Sequence, residues 1–414
     1  MNILHINNFH YLRGGSEAVY FNTANILEKH GHRAIYFSMS HPKNLPCDTK
    51  DYFVSYVDLS SNGKGIQHQS KTAFSILYSF EAKRYLSKLL DNYHVDIAHL
   101  HNIYHEISPS IIDVLKKRAI PMVMTLHDYK MVCASYSMLA NEKTCEACAG
   151  GKYFNAVKKQ CVKGSLAKSI LATLEQYLHN KILAIYDKVD IFISPSLFLK
   201  NKLRDMGFKR EIIHLPNFID MIKFKDLETE YKNTKKFSIV YFGRLSSEKG
   251  LWTLLEAAKI LKTKVEVKII GDGLIRGGLE EKVKMDGIYN VKFLGYMKGE
   301  ALYKEIKRSM AVVLPSECYE NNPMSVLEAF ALGKTVIGSR IGGIPELVKD
   351  NETGLTLEPR NAEDLSEKIR MLLSDSSSLI RMGENAQRFV ENEFSLEKYY
   401  QGLMEIYHRA VNGN

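Results

Sequence analysis

The chain has 414 residues, of which 45% are hydrophobic and 25% are charged, and its net charge is +9. This balance is typical of a soluble globular protein, and the length suits two domains better than a single core. The opening MNILHINNFHYLRGG lacks a basic stretch followed by an apolar one, and no apolar run approaches the ~20 residues that a bilayer requires. We therefore expect a cytoplasmic protein without a signal peptide or a spanning helix.

The first half of the chain alternates short apolar runs with longer amphipathic stretches. A strand is predicted at 3–6, followed by a helix at 17–29 that Gly31 closes. Further strands are predicted at 33–38, 96–100, 122–126, 190–194 and 211–215. The stretches between them have helical patterns.

The alternation begins again after a polar, lysine-rich connector at 226–236. Strands are predicted there at 238–242, 265–270, 291–294, 311–314 and 335–338. Such repeats indicate parallel sheets covered by helices on both faces. The sequence thus predicts an α/β protein with two Rossmann-like domains facing each other across a cleft. We place the N-terminal domain at 1–217, joined by a C-terminal helix at about 395–414, and the C-terminal domain at 218–394.

Polar residues that follow strands are the first candidates for a site, because ligands bind beyond the carboxyl ends of such strands. RGGSE (13–17) places two glycines before a helix, whose N–H groups could face a phosphate, although a glycine pair alone is weak evidence. His127 follows a strand in VMTLHDYK, where an isolated histidine is more often structural. His99, His101 and His105 alternate as metal ligands can, but no acidic partner is placed to orient them.

Two cations and two glycines follow predicted strands of the second half. YFGRLSSEKG carries Arg244 and Lys249, which suit a diphosphate, although an ordinary loop with surface cations is the alternative. In IIGDGLIRGGLEE, Gly271 and Gly273 would either admit a ligand close to the backbone or serve a tight turn. An arginine takes the place of the third glycine of the dinucleotide fingerprint, so nothing supports NAD binding.

The stretch SECYENNPMSVLEAFALGK predicts a short, nearly all-apolar helix capped by Asn322, with Pro323 in the first helical position and Gly333 at its end. Glu328 lies within this helix, so its carboxylate needs a partner. A ribose diol would provide one, and a buried salt bridge is the alternative. Glu320 precedes the helix, where it either meets a sugar or is a solvated loop carboxylate.

Four of the six cysteines follow the spacing C-x11-C-x2-C-x12-C: Cys133, Cys145, Cys148 and Cys161. Four thiolates in a tetrahedral array would form a structural zinc site that holds an irregular loop. Reduced thiols or a redox-labile pair are the alternatives, since the outer spacings are unusual. Stable disulfides are not expected in a reducing cytoplasm.

Lysines recur from 152 to 181 among aromatic and aliphatic residues: Lys152, Lys158, Lys159, Lys163, Lys168 and Lys181. A solvated helical face explains this pattern. Contact with an anionic membrane surface is the alternative.

Taken together, these motifs resemble a retaining glycosyltransferase of family GT4 with the GT-B fold, along nearly the whole chain. The most specific part is E-x7-E, here Glu320 and Glu328. Other stretches that resemble the family are RGGSE, HLHN, TLHD, SPS (194–196), LPNFID (215–220), FGRLSSEKG, GDG, FLGY (293–296) and FSLEKYY (394–400). The segment with four cysteines resembles an insertion found in a subset of the family.

The resemblance implies a role for each motif residue. Arg244 and Lys249 would hold the donor diphosphate, and Glu328 would bind the ribose hydroxyls. Glu320 would contact the donor sugar, and His127 would lie near that sugar on the acceptor side. Other contacts with the nucleotide-sugar are implied at or near Gly15, Gly271, Tyr296, Asn321, Asn322 and Met324. Where the commoner form has Gly-Phe-Gly after the first glutamate, this chain has Asn-Asn-Pro, which removes one backbone donor beside the sugar.

The implied activity is transfer from a UDP- or GDP-sugar, without a catalytic metal, to a growing surface glycan such as an O-antigen, capsule or exopolysaccharide. The acceptor would be lipid-linked, so peripheral contact with the inner face of the cell membrane is expected. No nucleic-acid motif is present. A nucleotide-sugar epimerase of the same fold and a non-catalytic nucleotide-sugar-binding subunit are the alternatives.

Overall fold

The computed structural model describes residues 1–56, 75–225 and 237–413, so the predicted connector at 226–236 lies outside the described residues. The chain divides into two compact units. The first comprises Met1–Asn141, Cys145–Pro216 and Tyr399–Asn414, and the second comprises Glu142–Thr144 and Asn217–Lys398. Among the described residues, no helix is both long enough and apolar enough to cross a bilayer.

Up to residue 216, the strands in chain order are β1 Asn2–Ile6, β2 Arg33–Phe37, β3 Ile97–Leu100, β4 Met122–Thr125, β5 Leu139–Ala140, β6 Lys143–Thr144, β7 Ile191–Ser194 and β8 Ile212–His214. The α-helices include α1 Gly15–Lys29, α2 Phe80–Asn92, α3 Ile111–Lys117, α4 Asn155–Lys158, α5 Leu166–Tyr177 and α6 Leu197–Asp205. The sheet of the first unit is parallel and has the order β2-β1-β3-β4-β7-β8. Its strands β3, β4 and β7 are buried along their whole length, as expected for a sheet covered on both faces.

Beyond residue 216, the strands are β9 Phe237–Phe242, β10 Val265–Ile270, β11 Val291–Gly295, β12 Ala311–Leu314, β13 Thr335–Ser339 and β14 Gly354–Leu357. The α-helices are α7 Ile222–Lys225, α8 Leu251–Leu261, α9 Arg276–Met285, α10 Gly299–Arg308, α11 Met324–Ala331, α12 Ile344–Leu347, α13 Ala362–Ser374, α14 Ser376–Glu393 and α15 Leu396–Asn412. The second sheet is parallel with the order β11-β10-β9-β12-β13-β14, the doubly wound Rossmann order.

The predicted fold class is confirmed, since each unit contains a parallel Rossmann-like sheet. Every predicted strand is present, with ends within one residue of the prediction. Strand β14 was missed because it begins with a glycine after the turn-like NET. A side chain at Gly354 would place its Cβ 2.1 Å from the carbonyl oxygen of Val336 in β13, so the strand can pair there only with glycine.

The last helix, α15, packs on the first unit from Tyr399 onward. The hydroxyl of Tyr399 lies 3.1 Å from that of Thr23 in α1, and the hydroxyl of Tyr407 lies 2.7 Å from Nδ1 of His99 in β3. Arg409 forms an ion pair at 2.9 Å with Glu211. These long-range contacts fix the C-terminal helix beside the first sheet.

Candidate functional site

Glu320 lies in the loop that follows β12 and is held by two donors. Lys249 Nζ and Ser316 Oγ each donate to Glu320 Oε1 at 2.6 Å. The Glu320 side chain is only 12% exposed, so it is not a solvated loop carboxylate. Burial, the largest single effect, would raise the pKa of Glu320, but the charge and hydrogen bond of Lys249, the hydrogen bond of Ser316 and the charge of Arg244 together hold that pKa below its ordinary value. Glu320 is therefore ionised at neutral pH.

The loop of Lys249 and the loop of Glu320 approach each other closely because glycines occupy the contacts between them. Gly250 has φ +69°, and a Cβ there would lie 1.8 Å from the carbonyl oxygen of Pro315. Gly342 has φ +63°, and its Cβ would lie 2.4 Å from the carbonyl oxygen of Glu320. Sequence reasoning did not assign Gly250, Ser316 or Gly342 to the site. The glycines that follow SSEK and SRI could have indicated that the two loops approach closely.

The second cation, Arg244, differs from Lys249 in being exposed. Its guanidinium pairs with Glu248 at 2.9 Å, and its backbone oxygen accepts a hydrogen bond of 2.8 Å from the Tyr241 hydroxyl. It also helps to lower the pKa of Glu320, after the larger effects of Lys249 and Ser316. Arg244 thus faces solvent on the same loop, where an anion can reach it without breaking a buried contact.

Helix α11 begins one residue later than predicted. Its N-cap is Pro323, with φ −69° and ψ 116°, and the predicted Asn322 cap is wrong. Asn322 is instead buried, and its backbone oxygen accepts from Asn217 Nδ2 at 3.1 Å. The predicted end is right, since Gly333 follows the helix with φ +67°.

Glu328 on α11 has no ion pair or hydrogen bond from its side chain to any residue that the structure describes. Burial raises its pKa to about 7, and Lys223 opposes that rise only weakly. The salt-bridge alternative therefore finds no support within these residues. An unpaired, largely buried carboxyl group whose pKa is near 7 is available to accept hydrogen bonds from a ligand.

Gly271 and Gly273 are explained by backbone packing. A Cβ at Gly271 would lie 1.9 Å from the carbonyl oxygen of Gly243, and one at Gly273 would lie 2.1 Å from that of Leu245. Gly271 N–H also donates to the oxygen of Gly295 at 2.8 Å, just before the exposed Tyr296. The tight-turn explanation is sufficient for both glycines, and the turns bring three neighbouring strand ends together.

The strand order of the second unit brings the predicted residues to one edge. Tyr296, Gly271, Arg244 and Glu320 follow β11, β10, β9 and β12, which are neighbours in the sheet. The order of strands reverses between β9 and β12, and such a switch point opens a crevice for ligands. The cations and Glu320 lie at this switch point. Asn321 and Met324 belong to the same loop and the start of α11.

In the first unit, the loop RGGSE leads directly into α1. Gly14 is the N-cap and Gly15 is the first helical residue, so the first N–H groups of α1 begin there. Glu17 in the first turn is buried, and burial raises its pKa despite a hydrogen bond of 3.1 Å from Ser16. A carboxylate thus already faces the positive end of this helix.

His127 stacks on a second histidine, so it is not the isolated histidine that the sequence suggested. Its Nε2 lies 2.9 Å from Nδ1 of His101, and the two rings stack with centroids 5.2 Å apart. Burial lowers the pKa of His127 to about 4 and that of His101 well below its ordinary value, so both are neutral at pH 7. Since His101 Nε2 is buried without a partner, placing the proton on His101 Nδ1 avoids a buried unpaired N–H. His127 then carries its own proton on Nδ1.

Within the described ranges, one group of three potential metal ligands has all its ligand atoms within 4.8 Å of one another: His5, His99 and His101. His105 is absent from this group and lies 3.4 Å from Glu175 instead. Both ring nitrogens of His99 are already hydrogen-bonded at 2.7 Å, to Tyr407 and Thr125. The rings of His99 and His101 stack, so their in-plane lone pairs lie side by side. We interpret the group as packing.

None of the four cysteines predicted to hold zinc is in a disulfide. Cys133 and Cys148 are buried, whereas Cys145 and Cys161 are half-buried. Cys133 Sγ lies 3.3 Å from Ser135 Oγ. Because no three of the four sulfur atoms meet the 4.8 Å limit within the described residues, zinc binding and membership of the subset with the insertion stay predictions.

Comparison with known families divides the chain into two matched regions. Residues 13–222 match the model described as Glycosyltransferase Family 4, and residues 223–389 match Glycosyl transferases group 1. An uncharacterized glycosyltransferase of Methanocaldococcus jannaschii, MJ1178, is 25% identical over 338 residues, which are 80% of each chain. The capsular polysaccharide biosynthesis glycosyltransferase CapM of Staphylococcus aureus is 27% identical over 276 residues, 63% of this chain and 67% of CapM.

Solved structures of the same fold include Anabaena Alr3699/HepE in complex with UDP and glucose. It superposes with a TM-score of 0.66 and 17% identity, over 98% of this chain and 99% of the other.

Proposed function

Since the chain belongs to glycosyltransferase family 4, we propose that it moves a sugar from a nucleotide-sugar donor to a growing surface glycan, with retention of anomeric configuration. The observation that supports this most is the buried contact of Glu320 with Lys249 beside Arg244 at the switch point of the second sheet. Cations suit a diphosphate and a carboxylate can accept hydrogen bonds from sugar hydroxyls, so this group of side chains suits a nucleotide-sugar.

The donor is proposed to be a UDP- or GDP-sugar. Arg244 and Lys249 bind its diphosphate, and Glu320 accepts hydrogen bonds from the sugar hydroxyls. Glu328 binds the ribose, and the turns at Gly271 and Tyr296 border the base. The UDP and glucose bound to the HepE structure favour a uridine nucleotide. As the bond to the leaving group breaks, negative charge grows on the diphosphate, and fixed cations stabilise that charge more in the transition state than in the ground state.

The first unit is proposed to serve the acceptor side of the reaction. A neutral His127 with its proton on Nδ1 is able to donate a hydrogen bond to a sugar hydroxyl. The N–H groups at Gly15 are proposed to meet the diphosphate. The low pKa of His127 argues against a role as general base at neutral pH, so we assign it binding and orientation.

The acceptor is proposed to be a lipid-linked glycan at the inner face of the cell membrane. The relationship to CapM, whose name places it in capsular polysaccharide biosynthesis, favours a surface polysaccharide as product. Peripheral contact with the membrane follows from such an acceptor.

The proposal is tested by a thermal-shift panel of UDP-, GDP-, ADP- and TDP-sugars, followed by product analysis with and without glycan acceptors. A donor that binds the folded protein raises its melting temperature. Conversion of the donor without any acceptor would identify an epimerase. Binding with neither transfer nor slow hydrolysis would identify a non-catalytic subunit.

The pKa of Glu328 predicts how donor affinity depends on pH. Because the folded protein holds this carboxyl at a pKa of about 7, the carboxylate that accepts the ribose hydroxyls forms only as pH rises through that value. We expect UDP affinity, measured by isothermal titration, to increase up to about pH 8 and then to level off. Glu328→Gln should bind about 10- to 100-fold more weakly and lose this pH dependence. A wild-type profile that is flat from pH 6 to pH 8 would contradict the assignment.

The four-cysteine segment is proposed to bind one structural zinc ion. Mass spectrometry of the purified protein should find zinc, and Cys145→Ser with Cys148→Ser should remove it and lower the melting temperature. Cys47→Ser is the matched control, since Cys47 is a half-buried thiol outside the set. Protein that is free of zinc and indifferent to chelators would instead support reduced structural thiols.

A further inference from the structure

Helix α5, Leu166–Tyr177, buries polar side chains and exposes aliphatic ones, the reverse of an ordinary surface helix. Four polar residues lie on its buried side: Ser169, Thr173, Glu175 and Gln176. Three large aliphatic side chains lie on its exposed side, with Leu166 52%, Ile170 42% and Leu174 55% exposed. A helix that packs on a core normally turns its apolar side inward.

The buried polar side chains of α5 make hydrogen bonds with other segments in the interior. Gln176 Nε2 donates to the backbone oxygens of Lys130 and Cys133 at 2.6 and 3.1 Å. Glu175 accepts from Lys130 Nζ at 2.7 Å. Ser169 Oγ accepts from the N–H of Val162 at 3.1 Å. Turning α5 over to hide its aliphatic residues would break these contacts and leave their partners buried and unpaired, so the aliphatic side stays exposed.

The exposed aliphatic residues of α5 lie along one side of the helix. Leu166, Ile170 and Leu174 are four residues apart and therefore share one side of the helix. Ile182 is exposed at the end of the π-helical turn Leu178–Ile182 that follows α5, and Phe154 is exposed shortly before α5. Single exposed apolar residues are common in proteins, but a contiguous set marks a binding surface. We call Phe154, Leu166, Ile170, Leu174 and Ile182 the α5 surface.

Positive charge is concentrated in the segment that carries the α5 surface. The segment from 149 to 186 has six lysines, all exposed: Lys152, Lys158, Lys159, Lys163, Lys168 and Lys181. Its only acidic residue is Glu175, whose carboxylate is committed to Lys130 in the interior. Within this segment no exposed carboxylate offsets the lysines, and the exposed Asp187 that follows the segment pairs with Arg210 at 2.9 Å.

We propose that the α5 surface docks on the anionic surface of a lipid bilayer. Aliphatic side chains enter the boundary between headgroups and acyl chains, while lysines extend their ammonium groups to the phosphates. A second copy of this chain is a poorer partner, because two such surfaces would bring the lysines of a chain with net charge +9 together. The inference rests on the proposed function for the reason to visit a membrane, and on the geometry of α5 for the surface that does so.

The test is sedimentation of the full chain with vesicles of about three parts phosphatidylcholine to one part phosphatidylglycerol. We expect the wild-type protein to sediment with these vesicles, less with phosphatidylcholine alone, and less at high salt. Ile170→Ser with Leu174→Ser should weaken binding about tenfold or more. Lys163→Gln with Lys168→Gln should weaken it only for vesicles that contain phosphatidylglycerol. The matched control is Leu274→Ser, since Leu274 is a fully exposed leucine of the second unit and should have no effect.

Fluorescence gives a second measurement. Leu174→Trp should shift its emission to shorter wavelength when these vesicles are added, because the indole leaves water. Equal sedimentation of wild-type and serine variants, or an unshifted emission, would overturn the proposal. The proposal would also be overturned if light scattering found the wild-type protein dimeric and the serine variants monomeric, with no vesicle binding by either. The partner of the surface would then be a second copy of the chain.

Failure of this inference is distinguishable from failure of the proposed function. Vesicle binding is measured without donor, and Lys249→Ala should bind vesicles as the wild-type does. Transfer to a water-soluble acceptor is measured without vesicles, where the serine variants should keep wild-type activity. Loss of one property without the other therefore identifies which proposal is wrong.

Discussion

Lys249→Ala is expected to lower kcat/KM for glycosyl transfer by about 10²- to 10³-fold, the effect of removing one preorganised charge from a transition state. The ammonium of Lys249 has two roles in the proposed site. It stabilises the departing diphosphate, and it keeps Glu320 ionised through the contact of 2.6 Å. Without it, burial is opposed only by weaker contacts, so the pKa of Glu320 should rise.

The pH profile separates these roles from a general loss of folding. In the wild type, Glu320 is ionised throughout the neutral range, so its ionisation adds no pH dependence there. In Lys249→Ala, residual activity should increase with pH as Glu320 loses its proton, and Glu320→Gln in the same background should remove that increase. Melting temperatures are measured alongside, because the variant also leaves a half-buried carboxylate without its cation.

Lys259→Ala is the matched control. Lys259 lies on α8 of the same unit, is exposed, and pairs with Asp286 at 3.3 Å away from the strand ends. It should retain wild-type activity and stability. Full transfer activity in Lys249→Ala with an unchanged melting temperature would show that the diphosphate binds elsewhere.

The strands were predictable because buried parallel strands are local apolar runs. Strands β10 and β12 have the predicted bounds, since VEVKII and AVVL are each bordered by residues that end a strand. The cap of α11 was not predictable, because a distant residue, Asn217, engages the backbone of Asn322. Here a tertiary contact outweighs the local preference of asparagine for the N-cap position.

Within the site, the sequence predicted which residue types are present but not which residues contact each other. Lys249 and Glu320 are 71 positions apart, and only the adjacency of β9 and β12 brings them into contact. His101 and His127 likewise meet because β3 and β4 are neighbours. The exposure of the aliphatic side of α5 could not be predicted, because the helical pattern alone does not reveal which side of a helix is buried.

The largest effect on stability is expected from Lys130→Met in the first unit. Lys130 Nζ lies 2.7 Å from Glu175 Oε2, and both side chains are 1% exposed. The neighbouring His105 lies 3.4 Å from the same carboxylate, but burial lowers its pKa to about 4, so it is neutral at pH 7. His179 lies 3.8 Å from that carboxylate as well, and burial also lowers the pKa of His179. Lys130 is thus the main cation that holds the pKa of Glu175 below its ordinary value against burial.

Removing Lys130 leaves a buried carboxylate without its cation, and we expect the free energy of unfolding at pH 7 to fall by about 3–5 kcal/mol. The measurement is urea unfolding followed by circular dichroism. Adding Glu175→Gln should recover most of the loss, because the uncompensated charge is then gone. Lys116→Met is the control: its exposed pair with Asp190 at 3.8 Å should change stability by no more than about 1 kcal/mol.

The pH dependence of this variant follows from the same charge. Without Lys130, the folded-state pKa of Glu175 should lie above its ordinary value of 4.5 instead of below it. The unfolded chain then releases the proton first as pH rises, so the deficit relative to wild type should be largest at neutral pH and shrink towards pH 4. A deficit that stays constant with pH, or a double variant no more stable than Lys130→Met, would mean that lost packing, and not the buried carboxylate, destabilises the protein.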